Sequence, residues 1–313
     1  MKQKYKQLKQ RVQHDFKTGK LSDALSVFFL LLPYALLFSL FIAIPVAIAV
    51  GLSLTSFNLI EAPEYRGLMN YITVLTKDPV FLKYVLPNTF KYALITGPGG
   101  YMLAFILAWM LAQIQRIPRT IIALAIYTPS MLGPILMQVI FRVLFNGDEN
   151  GWLNSVLLSN DFISKPIQFL QDPAWLMDIM IIVSLYSAMG IGFLAMLAGV
   201  LNGNEELYEA AYIDGIKNKF QEVIHITIPS MKPQMLFGAV MAIVQSFNNG
   251  YIGVALSGQN PTPQYSGQLI INHIEDFGMI RYEMGYAAAL SVVLLLIIWG
   301  FSKTAYILFG EKD

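Results

Sequence analysis

Gln245, Ser246, Asn248, Asn249 and Tyr251 crowd hydrogen-bonding side chains into an otherwise apolar stretch. Amide groups both donate and accept hydrogen bonds, so such a run suits recognition by hydrogen bonding. The same side chains can instead hold membrane helices to one another. Tyr186 and Ser187 form a smaller polar pair in another apolar stretch. Groups for covalent chemistry are scarce. His14, His225 and His273 all fall outside the apolar stretches, so the sequence predicts no buried histidine dyad and no metal trio. The chain has no cysteine, which excludes disulfides, zinc-thiolate sites and iron–sulfur clusters. It also lacks a Gly-Lys-Ser/Thr loop able to cradle phosphates.

The elements that must position the polar run are membrane helices. Of 313 residues, 56% are hydrophobic and 13% charged, against about 25% charged in soluble domains. Roughly 20 apolar residues cross a hydrocarbon core about 30 Å thick. Six stretches meet that length: 27–54, 93–112, 121–144, 179–201, 235–256 and 286–308. The fold expected is therefore an all-α membrane protein with six transmembrane helices. The stretches carry no charge in their central parts, and Arg142, Asp178 and Lys303 lie near ends. A central charge costs about 2.5–3.5 kcal/mol on insertion scales and is seldom kept without a use. The chain thus offers no group to bind a driving ion. If it moves a solute uphill, the energy is expected from another polypeptide.

Basic residues set the expected orientation. Seven lie in the first 20 positions (Lys2, Lys4, Lys6, Lys9, Arg11, Lys17 and Lys20). Arg116, Arg119, Lys217, Lys219, Lys232, Lys303 and Lys312 complete 14 of the 21 Lys and Arg on one side. The positive-inside rule then places both termini and the 202–232 loop on the cytoplasmic side of the membrane. The loop with Asp148, Glu149, Asp161 and Asp172 falls outside. Residues 1–20 form a first unit, a basic amphipathic segment with Tyr5, Leu8, Val12 and Phe16 at helical spacing, suited to anionic lipid. Residues 21–313 form the six-span unit. Nothing in the sequence suggests a nucleic-acid partner.

Several expected spans hold helix breakers: Pro33 and Pro45, then Gly97-Pro98-Gly99-Gly100, then Pro129 and Gly133-Pro134. Each can be simple kinking, and the Gly97–Gly100 cluster is the strongest candidate for a larger role.

The 202–232 loop reads as a short helix and a return segment. Asn204 is a good N-cap, and Glu205 and Glu206 suit the positive end of a helix dipole. Ala210 and Ala211 allow close approach of another surface. Gly215 suits a left-handed C-terminal cap. A second segment, 217–228, returns toward the membrane and is expected to stop at Pro229.

Glu209-Ala210-Ala211, then Gly215 and Ile226-Thr227-Ile228-Pro229, resembles the Glu-Ala-Ala loop of permease subunits in bacterial binding-protein-dependent ABC importers. Ten residues separate Gly215 from Ile226, where the common pattern has nine, and Ile228 replaces the usual leucine. Asn70-Tyr71, Asp78, Phe81 and Asn88-Thr89 resemble the carbohydrate-uptake branch of that family, the maltose/glycerol-phosphate type. Phe247-Asn248-Asn249 and the run 285–291 extend the likeness, which is greatest to oligosaccharide and polysaccharide uptake members.

The resemblance implies the type I importer permease fold and alternating access. It implies a second homologous permease, two ABC ATPase subunits, an external solute-binding protein and a carbohydrate substrate. This chain would be non-catalytic and bind no cofactor itself, with ATP and Mg on the partner ATPase. Glu209, Ala210, Ala211, Asp214, Gly215 and Pro229 become the expected ATPase-coupling residues. Enlarging Gly215 or Ala211 is expected to uncouple hydrolysis from transport. Gln245, Asn248, Asn249, Tyr251 and Tyr186 become the expected substrate path, because amides match sugar hydroxyls. The rival readings are an ABC permease for a non-sugar solute and a secondary carrier for neutral solutes.

Overall fold

The computed structural model describes residues 20–309. The amphipathic segment expected over 1–20 lies, Lys20 apart, outside the described residues, as does Lys312. The described chain is helical and holds no strand, only a single bridge between Thr55 and Tyr65. Three helices are long and apolar enough to cross a membrane uninterrupted: Ser26–Leu52, Phe81–Ala112 and Met284–Leu308. Three more pairs reach that measure only when each bent pair is taken together, which gives up to six spans. They are Arg116–Met131 with Leu136–Leu144, Pro173–Ser187 with Ile191–Leu201, and Lys232–Asn248 with Tyr251–Ser257. The second pair bends by 43° and the third by 50°.

Simple kinking, the reading open for the span prolines, is compatible with helices that continue through them, and Pro229, expected as a stop, does not end its segment. Pro33, Pro98 and Pro129 sit inside continuous helices. Pro45, Pro87 and Pro229 each follow a five-residue π turn by one residue: Ser39–Ala43, Phe81–Val85 and Val223–Thr227. In each turn a backbone N–H reaches back five residues, from Ile44 to Ser39, Leu86 to Phe81, and Ile228 to Val223. The widened turn displaces the carbonyl that a proline ring would otherwise strike. Pro229 accordingly lies within the helical turn Ile228–Ser230, and the direction changes at Met231 instead (φ −113°, ψ 23°). The π turn Val223–Thr227 also takes up one residue more than an α turn. It begins between Gly215 and Ile226, where the spacing is one residue long, and runs into the Ile226–Pro229 segment.

Three apolar clusters stack along the molecule. One joins Leu176, Met180, Ile252 and Leu256, a second Phe81, Phe247, Ile270 and Leu290, and a third Ala108, Phe193, Met196 and Met235. Helix Phe81–Ala112 touches all three and, at 32 residues, is about 48 Å long. Its Gly97–Gly100 cluster permits close crossing. A Cβ on Gly100 would meet Ala188 Cβ at 2.8 Å, and one on Gly97 would meet Ser246 Oγ at 3.2 Å. None of the apolar window of Ser26–Leu52 is buried within the chain, so lipid or another subunit must cover it.

Candidate transport pathway and coupling loop

All three bent pairs break beside one polar cavity. Ser187 and Gly190 come from one break, Asn248 and Asn249 from another, and Ser130 from beside the third. Two adjoining hollows, of about 100 and 410 Å³, share Ser184, Ser187, Gln245 and Asn249. Tyr92, Thr96 and Tyr101 line the smaller, and Tyr127 and Gln138 the larger. None of the described residues lining either hollow is charged. Asn249 Nδ2 donates to Tyr92 Oη at 2.8 Å and lies 3.4 Å from Ser184 Oγ. The Tyr92 and Ser184 hydroxyls are themselves 2.5 Å apart. Breaking a helix in a membrane frees backbone polar groups, which is tolerated where they line such a cavity.

The polar residues expected from the sequence are thus divided. Gln245, Asn248 and Asn249 line the cavity. Tyr186 and Tyr251 do not: both are exposed, and the Tyr186 ring packs edge-on against Phe141 at 5.6 Å. Tyr92, Thr96, Ser130, Gln138 and Ser184 were missed by the sequence reading. Their signal was present as polar side chains at helical spacing, Thr96 with Tyr92 at the edge of one apolar stretch and Ser184 with Ser187 inside another.

The connector forms a helix over Glu205–Ile213, with Asn204 Oδ1 accepting from the Glu206 N–H at 3.0 Å. Gly215 has φ +99°. The Gly215 N–H bonds to the Tyr212 carbonyl and the Ile216 N–H to the Ala211 carbonyl, the paired bonds of a glycine-capped helix end. Glu209, Ala210, Asp214 and Gly215 are exposed, with Ile213 87% exposed at the tip. Ala211 is not on that open face, being only 9% exposed. Tyr208 and Tyr212, three residues before it and one after, turn their hydroxyls onto the return segment. A larger residue at 211 would therefore disturb the chain's own packing before it met any partner.

One buried site contradicts the expectation of no interior histidine pair. His273 Nε2 donates to Asp78 Oδ2 at 2.7 Å. Tyr286 Oη donates to the same oxygen at 2.8 Å, and the Phe81 N–H to Oδ1 at 2.9 Å. Asp78 and His273 are 8% and 3% exposed. Burial alone would raise the Asp78 carboxyl, but the bonds from His273, Phe81 and Tyr286 outweigh it and hold it down at about 2. Asp78 accepts from three groups at once, so the cluster reads as a clasp between segments far apart in sequence.

A helical membrane protein with broken spans around an uncharged polar cavity, and a capped helix at one end, is built as a transporter subunit. Residues 98–307 match the family of binding-protein-dependent transport system inner membrane components. The chain is 31% identical over 271 residues to the arabinooligosaccharides transport system permease protein AraP of Bacillus subtilis (strain 168), covering 85% of this chain and 82% of that one. It is 28% identical over 269 residues to the lactose transport system permease protein LacF of Rhizobium radiobacter, covering 85% and 88%. Its fold matches a chain of a bacterial alginate ABC transporter, solved with an alginate pentasaccharide-bound periplasmic protein. There the TM-score is 0.73 and the identity 22%, over 94% of this chain and 96% of that one. The protein belongs to the family of binding-protein-dependent importer permeases, the non-catalytic membrane subunits of ABC transporters.

Proposed function

We propose that this chain forms half of the passage by which an ATP-driven importer carries an oligosaccharide across a bacterial cell membrane. The observation that carries the reading is the convergence of three helix breaks on one uncharged, amide- and hydroxyl-lined cavity. Such a lining offers donors and acceptors in pairs, as sugar hydroxyls require. It offers no counter-charge, so an anionic group would be desolvated there at a cost of several kcal/mol. The names of the relatives, among them arabinooligosaccharide and lactose permeases, support the same class.

In this reading a second permease supplies the other wall, and two ATPase subunits, which alone bind ATP and Mg, drive the cycle. A solute-binding protein delivers sugar from outside. The excess of basic residues around the 202–232 loop and the termini supports a cytoplasmic position for them in this reading. Glu209, Ala210, Ile213, Asp214 and Gly215 form the face that meets the ATPase, and Pro229 shapes the return. Gln245, Asn248 and Asn249 contact sugar, with Tyr92 and Ser184 behind Asn249.

The test is affinity purification of the tagged chain from its native membrane, followed by uptake of labelled arabinotriose and lactose in cells. An ATPase and a second permease are expected to co-purify. A lone chain that supports uptake unaided would end the proposal. Replacing Asn248 and Asn249 together with Ala is expected to lower sugar uptake about tenfold, from two lost hydrogen bonds of about 0.5–1.5 kcal/mol each. Membrane levels of the chain should be unchanged on immunoblots. Wild-type kinetics for both sugars would remove the two amides from the path.

A further inference from the structure

The connector helix Glu205–Ile213 is tethered to the rest of the chain by backbone at only two points. One is the turn at Asn202–Asn204. The other is Gly215, whose Cβ position has no neighbour within 4 Å. A helix so held would swing about its tethers when pushed. Two side-chain links oppose that swing, and both lie on one helix face, four residues apart. Tyr208 Oη donates to Thr227 Oγ1 at 3.2 Å, and Tyr212 Oη donates to Glu222 Oε2 at 2.5 Å.

Glu222 is the unusual member. It is only 4% exposed, in a loop whose other carboxylates among the described residues are open to solvent. Lys219 Nζ donates to both of its oxygens, at 3.2 and 2.9 Å, and lies 5.8 Å from the centre of the Tyr212 ring. The hydrogen bonds to Glu222 raise the Lys219 ammonium above its usual range. Only the Glu222 end of this ion pair is buried, the Lys219 side chain being 55% exposed, and such a pair is weak evidence of stability. What this one supplies is a fixed geometry between two segments that are otherwise hinged.

Beyond Glu222 the path is continuous. Thr227 lies in the π turn, its carbonyl accepts from the Met231 N–H at 3.2 Å, and Met231 N-caps Lys232–Asn248. That helix ends at the cavity, with Gln245 and Asn248 in its last turn. We propose that Glu222, bonded to Tyr212 and braced by Lys219, is the positioning residue that locks the connector to the return segment. A displacement of the connector is thereby passed to the cavity wall instead of being lost at Gly215. The inference rests on the importer reading above, in which an ATPase displaces the connector.

The chain has no cysteine, so a single Gln245→Cys reports on the cavity without background from its own thiols. In native membranes, the reaction of that thiol with a fluorescent maleimide is followed with and without ATP and orthovanadate. In the Gln245→Cys parent, nucleotide trapping is expected to change the rate. Adding Glu222→Ala should reduce the response about tenfold, while the ATPase still co-purifies and still hydrolyses ATP. Tyr212→Phe, a milder change, should reduce it less. Glu222→Gln keeps an acceptor for Tyr212 and should restore most of it. A full response in both Glu222→Ala and Tyr212→Phe overturns the Glu222 lock and leaves the importer reading standing. A parent that neither binds an ATPase nor responds to nucleotide overturns the importer reading, and the Glu222 lock with it.

Discussion

Asp78→Ala is expected to destabilise the protein by about 2–6 kcal/mol, from two buried donors left without an acceptor at about 1–3 kcal/mol each. The substitution strands two buried donors at once, His273 Nε2 and Tyr286 Oη. It also frees the Phe81 N–H that Asp78 holds at the start of helix Phe81–Ala112. Thermal unfolding of the detergent-solubilised complex would measure the loss. A midpoint within a degree or two of wild type would show that the cluster contributes nothing.

The pH dependence of this cluster has a definite sign. The Asp78 carboxyl lies below its ordinary value of 3.8, at about 2, so the folded state holds the proton less tightly than the unfolded chain. Its contribution, about 2 kcal/mol for a shift of this size, is fully present above about pH 4. It is lost as the pH falls through 2. Titration of Asp78 therefore predicts no change in stability between pH 5 and pH 8.

The second large effect concerns Gly215. Its φ of +99° lies where only glycine rests without strain. Gly215→Val is expected to undo the paired capping bonds and lower sugar uptake at least about tenfold. The open space around the residue separates backbone from bulk. Gly215→Asn is similar in size to the valine variant but tolerates positive φ better, and it should keep most of the uptake. Equal loss in both variants, with the ATPase still bound, would mean that the partner surface, not the backbone, demands glycine. Wild-type uptake by Gly215→Val would exclude a role for the cap. Ala211 is a different case. Its side chain is packed inward, so Ala211→Leu should first separate Tyr208 and Tyr212 from the return segment.

The features legible in the sequence are those decided within a few residues. Asn204 and Gly215 bracket a helix because each completes hydrogen bonds within the same or the next turn. The apolar stretches follow from the thickness of a bilayer. The polar character of Gln245, Asn248 and Asn249 needs no partner to be recognised. The absence of charge from the span centres is likewise read directly from the sequence.

Packing decided the rest. Asp78 meets His273 and Tyr286 across 195 and 208 positions, and no local pattern marks such a meeting. Histidine outside a span reads as exposed until helices from both ends of the chain close over it. Tyr186 and Tyr251 share the polar character of the cavity residues but fall outside its lining, because a bend of 43° or 50° sets which face a residue shows. Pro229, expected to stop the return segment, lies within a helical turn, since the π turn before it moves the offending carbonyl. Sequence fixes what each segment can bond with nearby; the direction of a bent helix is set by what it packs against, and that alone brought three breaks to one cavity.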